Sequence, residues 1–448
     1  MTPEERRSYG RGAALLSALI GVTGLLTYAF HSLAAHALGR DDYGTVAVLW
    51  AAVFLVASVI YRPVEQLLSR TIAERRARGL PEGSALRVAA TIQLALAVLF
   101  VAVALLLREP IEDELFSGSA TLYWCLVAAV SFYAASYFAR GYLAGTQRFG
   151  LYGALVLLES ASRAVLGVLL VVGVIEGRSA AGVAIAAAPL VSLFVVPWAL
   201  GRHLRRTAAA DVRETDVTLA HGLGFAGAVL VVMASEQAIL NSGVLIVKVE
   251  TGDDGLAALI FAVLMIARAP LQLFQAVSTT LLPHLTGLLV REGEGHEGDF
   301  GRSVRVTVAA CLAFGGATVI GVLAVGPPVM RLLFGSEFDY DRLGLALVAA
   351  GMGLYLSATT VNQAVLAQGR ARLAAASWAT SAAFFVVFLL AAGMEEVREV
   401  EVAFLATAGL LSALLYLAYR RPVAGERQIR PGSTEEMEAI LAAADEGS

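Results

Sequence analysis

Twelve apolar runs, each long enough to cross a bilayer and separated from the next by a charged turn, leave this chain few folds to choose from. They fall near residues 13–38, 44–69, 88–107, 120–139, 151–175, 180–200, 218–247, 256–282, 306–325, 345–365, 373–392 and 402–419. A helix rises about 1.5 Å per residue, so about 20 residues span the ~30 Å hydrocarbon core. Hydrocarbon offers backbone amides no partner, and a helix satisfies its own. With 58% of residues hydrophobic and a mean hydropathy of +0.73, polar surface is too scarce to surround a soluble core. The predicted fold class is therefore all-α and polytopic, with about 12 transmembrane helices.

The first run is too long for a signal-peptide core and lacks a small-residue cleavage site, so it reads as a retained helix. Cys125 and Cys311 both fall inside runs, which makes them buried small residues rather than a disulfide or metal pair. The basic residues fix an expected orientation. With the amino end in the cytoplasm, 23 of the 33 lie in cytoplasmic segments and 7 on the other face, while Arg62, Arg163 and Arg268 sit within runs. That bias is the positive-inside pattern, and it predicts an inner (plasma) membrane protein with both termini cytoplasmic. Acidic residues gather on the opposite face, as in Glu109, Glu112, Asp113 and Glu114.

The expected layout is a cytoplasmic N-terminus (1–12), a six-helix half (13–200), a cytoplasmic linker (201–217), a second six-helix half (218–419) and a cytoplasmic tail (420–448). The halves read as a repeat. Residues 143–173 parallel 366–393, each a turn leading into the fifth helix of its half, and Asp41-Asp42-Tyr43-Gly44 before Arg62-Pro63 parallels Asp253-Asp254-Gly255 before Arg268-Ala269-Pro270. Both halves run in the same direction, which implies a pseudo-twofold along the membrane normal. In the tail, Ser433-Thr434-Glu435-Glu436 has the form of a capping box opening a short exposed helix.

Ionisable residues inside runs are the informative ones, because a charge at mid-bilayer is costly unless it faces a cavity or a partner. Glu159 and Arg163 lie at i and i+4, the spacing of a helical ion pair. Arg62 and Glu65, at i and i+3, could also pair, although Pro63 disturbs that stretch. Arg268 has no acidic residue within a turn on its own helix. It reads either as an anion-binding fork, suited to phosphate or pyrophosphate, or as one end of a cross-helix bridge to Glu236 or Glu65. Glu236, Gln237 and Asn241 form a polar stripe that could carry H+ or Na+, or simply hydrogen-bond between helices. His31 and His36, near the end of the first run, read as interface residues rather than proton carriers.

No phosphate-binding loop, metal-ligand spacing or catalytic loop domain is present in the sequence, which argues against ATP hydrolysis and against an enzyme, and no cofactor or nucleic-acid partner is expected.

Several turns carry a family likeness. Leu38-Gly39-Arg40-Asp41-Asp42-Tyr43-Gly44, Gly141-Tyr142-Leu143-Ala144-Gly145-Thr146-Gln147-Arg148-Phe149, Leu282-Pro283 and Leu333-Phe334-Gly335-Ser336-Glu337-Phe338 resemble, in order and spacing, the polysaccharide and O-antigen flippases of the multidrug/oligosaccharidyl-lipid/polysaccharide (MOP) exporter superfamily. The resemblance implies two six-helix bundles around a central cavity, alternating access, and a polyprenyl-pyrophosphate-linked oligosaccharide as substrate for cell-surface polysaccharide assembly. It makes Arg268 and Arg62 the pyrophosphate contacts, with Glu236, Glu65, Asn241, Gln237, Glu159 and Arg163 as ion-coupling or cavity residues. The lipid II branch carries an arginine-aspartate pair in its first helix, where this chain has Tyr28 to His36, so a peptidoglycan precursor is not expected. The implied partners are membrane lipid and other polysaccharide-assembly proteins, with the chain itself a monomer. A cation-coupled drug exporter, a membrane glycan polymerase or ligase, and a transporter-derived scaffold without transport remain as alternative readings.

Overall fold

A computed structural model describes residues 3–196, 219–268 and 299–421, and in those residues the chain is helical throughout, joined by short turns. The first two helices form one continuous run, Pro3–Ala77, folded at Gly39 (φ 74°, ψ 176°) into α1 (3–38) and α2 (40–77). Only glycine occupies that backbone conformation without steric cost, so Gly39 is what returns the chain into the bilayer. There follow α3 (Gly83–Leu106), α4 (Ala120–Gly145), α5 (Phe149–Val171), α6 (Gly177–Ser192) and α7 (Leu219–Thr251). After α8 (254–268) come α9 (Asp299–Phe334), α10 (Arg342–Ala367), α11 (Ala371–Ala391) and α12 (Glu396–Arg420).

Each helix corresponds in order to one predicted run, and the chain is a multi-pass membrane protein. α2 continues through Pro63 without a break. Several helices outrun their apolar stretch, and α4 does so with consequence: it extends six residues past the predicted end at 139 and carries Arg140 inside the helix. The expected linker, the turn Pro283 to Arg305 for most of its length, and the expected tail helix at Ser433 lie outside the described residues.

Helix ends are satisfied locally. Ser119 Oγ accepts from the Leu122 amide at 3.4 Å at the start of α4, and Asp341 caps α10 by accepting from the Gly344 amide at 3.1 Å. Hydroxyls within the helices mostly bond back one turn, as Ser131 does to the Val127 carbonyl (2.6 Å) and Ser377 to that of Leu373 (2.9 Å). Such residues cost little in hydrocarbon and carry no message about function.

In the first half α5 and α4 pack on the α1–α2 hairpin, with α6 against both. In the second, α10 is largely buried, flanked by α9 and α12, while α11 packs on α7 and α12. α3 and α9 are mostly unburied, which places them at the lipid boundary. Small residues allow the closest crossings. A Cβ on Gly315 would stand 2.7 Å from the Gly353 Cα, and one on Gly141 2.8 Å from the Glu65 carbonyl oxygen.

The distal face carries Arg40, Ser117, Asp254 and Glu337, and the proximal face Arg76, Thr146 and Arg370.

Candidate substrate site

The intramembrane charges form two groups of different character. In the first half, Glu159 and Arg163 of α5 meet Tyr133 and Arg140 of α4. Tyr133 donates to Glu159 Oε1 at 2.6 Å, Arg163 Nη2 lies 3.1 Å from the same oxygen, and Arg140 Nη2 closes on Oε2. Arg163 also donates to the Tyr133 hydroxyl (3.0 Å) and to Ser160 Oγ (3.2 Å), and its guanidinium lies 4.8 Å from the Trp50 ring centroid. Arg140 similarly lies 4.9 Å from the ring of Tyr137. Glu159 and Arg163 are 2% and 3% exposed, so this carboxylate is fully engaged by two cations and a hydroxyl. Such an arrangement braces α4 against α5 and leaves little freedom for exchange.

Arg62 and Glu65 sit half-buried on α2 without forming the anticipated ion pair. Glu65 instead accepts from the Tyr152 hydroxyl of α5 at 3.1 Å. Among the described residues Arg62 makes no hydrogen bond or close ion pair. The carboxylates whose fields reach it are Glu236, on α7 of the other half, and then Glu65.

In the second half, Glu236 accepts from the Tyr355 hydroxyl of α10 at 3.3 Å. One turn on, Asn241 donates to Gln237 Oε1 (3.0 Å) and to the Gln237 carbonyl (3.2 Å), which turns its own Oδ1 toward α8. Arg268 Nη1 donates to that oxygen at 3.4 Å. Its Nε and Nη2 are buried and have no hydrogen-bond partner among the described residues. No carboxylate bridges to Arg268 among the described residues, neither Glu236 nor Glu65; its polar neighbours are the hydroxyls of Tyr28 and Tyr355. Tyr355 lies within electrostatic reach of Glu236, Arg268 and Arg62, so charges from α7, α8 and α2 converge on one region where the halves meet.

The structure thus places the eight sequence candidates in three settings: Glu159 and Arg163 in a closed brace, Glu65 on Tyr152, and Arg62, Glu236, Gln237, Asn241 and Arg268 around the junction of the halves. Arg140 was assigned to a turn because the hydropathy of α4 falls away before it. Its position after Tyr133 and Tyr137, one face of a helix at i, i+4 and i+7, was the available signal. The tyrosines themselves gave none, since a tyrosine in an apolar run reads as core. His31 is fully buried, with Nδ1 3.1 Å from the Tyr43 hydroxyl, whereas His36 is exposed. Both cysteines are free and buried. A lateral groove of about 920 Å³ between α3 and α4, lined by Leu94, Val98, Ala134 and Phe138, opens away from these charges and is apolar apart from Gln93 and Ser131.

No protein-family model matches the sequence. An uncharacterised protein of Mycobacterium tuberculosis (strain ATCC 25618 / H37Rv) is 27% identical over 366 residues, covering 77% of this chain and 78% of its own length. Among solved structures, the lipid II flippase MurJ in an inward closed conformation aligns with TM-score 0.66 at 14% identity, over 92% of this chain and 88% of MurJ. A multidrug resistance MATE family transporter of the MOP superfamily, in its inward-facing conformation, aligns at 0.64 and 15% identity, over 97% and 96%. The chain has the fold of the MOP superfamily. In that MOP fold the outward-facing MATE conformation aligns less well, at 0.56 and 14% identity over 98% and 97%. At such identities the likeness speaks for the architecture, and the side chains of this chain must carry any argument about what it moves.

Proposed function

We propose that this chain is a flippase that carries a polyprenyl-pyrophosphate-linked oligosaccharide from the cytoplasmic to the outer leaflet of the plasma (inner) membrane, by alternating access between the halves 13–200 and 218–419. The observation that carries the reading is the unpaired Arg268. A guanidinium within the bilayer with two buried nitrogens lacking partners costs stability that packing alone would remove, and it is the arrangement expected where an anion is to be received. Asn241 ties down Nη1 and leaves the Nε–Nη2 edge, which can take two oxygens of one phosphate side by side.

Arg62, which like Arg268 lies within electrostatic reach of Tyr355, would supply the second positive charge to a pyrophosphate. Glu236, whose field reaches Arg62 and which accepts from Tyr355, would be the resting counter-charge, and on this reading it is the residue that binds H+ or Na+. A membrane potential of 100 mV is worth about 2.3 kcal/mol per charge moved, enough to bias the two access states. The glycan travels in the central cavity while the polyprenyl tail stays in lipid, so no bond is made or broken and the chain is no enzyme. With distal outside and proximal inside, both termini are cytoplasmic. Other polysaccharide-assembly proteins would supply and consume the substrate.

A cation-coupled drug exporter is the second reading, favoured by the partial exposure of Glu236 and Glu65 at the junction. Native mass spectrometry of the detergent-purified protein separates the two. Undecaprenyl pyrophosphate is expected to bind, undecaprenol to bind at least tenfold more weakly, and Arg268→Gln to remove that difference. Equal binding of the neutral and anionic lipids would overturn the anion site, and binding of a lipophilic cation abolished by Glu236→Gln would favour export of drugs.

A further inference from the structure

Among the described residues, the polar contacts that cross between the halves are concentrated at the distal face, and most of them gather around Lys248, the chain's one lysine, and Arg40. Lys248 stands near the end of α7, 1% exposed, and its ammonium donates to Ser117 Oγ (2.9 Å) and to the Gly252 carbonyl (2.7 Å) and forms an ion pair with Asp254 Oδ1 (2.9 Å). Ser117 comes from the other half, in the turn between α3 and α4, and donates to Asp254 Oδ2 at 2.8 Å. One hydroxyl thereby accepts from the lysine and donates to the carboxylate, and closes a three-membered bridge across the junction.

Reaching that position distorts the turn. The chain leaves α3 through a π-helical turn at Ile111–Leu115, and Ser117 takes a φ of 50°, followed by Gly118 at 76°. Serine seldom adopts that region, and an outlier held in place by its surroundings is a reason to look for a role.

A second tie lies beside the first. Arg40 of the Gly39 fold donates its amide to Glu337 Oε2 (2.9 Å) and its Nε to the Gly255 carbonyl (3.0 Å). Between the ties the backbones nearly touch: a Cβ on Gly44 would fall 1.8 Å from the Asp254 carbonyl oxygen, and one on Gly255 2.5 Å from Asp41 Oδ1. Beneath them Tyr43, with no exposed surface, packs on Phe261, Phe334 and Phe338 of the second half, centroids 5.8–6.3 Å apart. At the proximal face, Arg76 bonds to the Thr146 carbonyl and Arg370 to the carbonyls of Ala418 and Tyr419, each within its own half.

We infer that Ser117, Lys248 and Asp254, with Arg40 on Glu337 and Gly255, form a latch that holds the distal face shut, so that its strength sets the ratio of distal-closed to distal-open protein. The inference rests on the alternating-access reading only for its consequence in transport; the latch itself concerns the resting conformation. A distal-closed resting state presents the unpaired Arg268 to the proximal side, where a substrate made in the cytoplasm would enter. Opening must break the bridge, and the free energy for doing so has to come from the bound substrate or the membrane potential.

Pulsed dipolar spectroscopy on full-length protein in nanodiscs tests this, in a Cys125→Ala, Cys311→Ala background. Spin labels at Asp113→Cys and Glu395→Cys report the distal face, and labels at Arg78→Cys and Arg372→Cys the proximal face; all four native side chains are exposed. The wild type is expected to give one short distal distance. Ser117→Ala, which removes both bonds of the bridging hydroxyl, and Lys248→Met are each expected to raise the long-distance distal population roughly tenfold or more, because loss of one partner in a buried charged bridge weakens it by at least that factor. Should Lys248→Met fail to fold, Ser117→Ala and Glu337→Ala, both at exposed positions, read out the same ties. Distal distributions identical in wild type, Ser117→Ala and Glu337→Ala would overturn the latch. Distal lengthening with no change in the proximal distance would keep the latch and count against alternating access.

Discussion

Tyr355 donates its hydroxyl hydrogen to Glu236 at 3.3 Å, and through that bond the carboxylate is held on α10 rather than by the arginine of α8. Four guanidinium groups, Arg62, Arg140, Arg163 and Arg268, lie within the helices near only three carboxylates, Glu65, Glu159 and Glu236. Two of the arginines share Glu159 and Glu65 is held on Tyr152, which leaves Arg62 and Arg268 with the single carboxylate of Glu236 around the junction of the halves. On the proposed reading, that imbalance is what receives an anion.

Arg268 should therefore be dispensable for folding. Replacing it by Met removes a buried donor group whose desolvation is unreturned, and Arg268→Met is expected to keep or raise stability by about 1–3 kcal/mol while transport is lost. Thermal unfolding in one detergent measures this; a destabilisation as large as that of a Glu159 variant would make Arg268 a structural residue.

Glu159 should behave in the opposite way. Glu159→Gln leaves Arg140 and Arg163 facing each other with no carboxylate between them, and a loss of roughly 3–5 kcal/mol is expected. Measured by the same unfolding assay, a change below about 1 kcal/mol would show that the brace bears little of the packing of α4 on α5.

Two neighbouring glycines of α9 offer a matched comparison. Gly315 meets the backbone of Gly353, whereas nothing lies within 4 Å of a Cβ built on Gly316. Gly315→Ala should cost about 1–3 kcal/mol by forcing α9 from α10. Gly316→Ala should be neutral or stabilise by up to about 1 kcal/mol, since alanine is the better helix former. Equal effects at the two positions would contradict the close crossing.

The architecture was legible because the bilayer makes hydropathy nearly sufficient: an apolar run must become a helix, whatever it packs against. The turn between the first two helices followed from the break between apolar runs, and the Glu159–Arg163 pair from local spacing. What sequence could not supply was rotation about each helix axis, and the site depends on it. Arg62 and Glu65 sit at pairing distance along the chain, yet Tyr152 of another helix takes the carboxylate. Arg140 falls just past the apolar run that ends at 139, because hydropathy averages over a face, and the tyrosines that receive it are counted as core. The bridge at Ser117 required knowing that a turn of the first half touches the end of α7, 131 residues away.

The central claim, transport of a lipid-linked glycan through an arginine site, is tested most directly by locating undecaprenyl-linked glycan in cells depleted of this protein and complemented with wild type or Arg268→Ala at matched expression. The account predicts accumulation on the cytoplasmic leaflet that wild type relieves and Arg268→Ala does not. An unchanged leaflet distribution, across all the lipid-linked glycans the host makes, would contradict it.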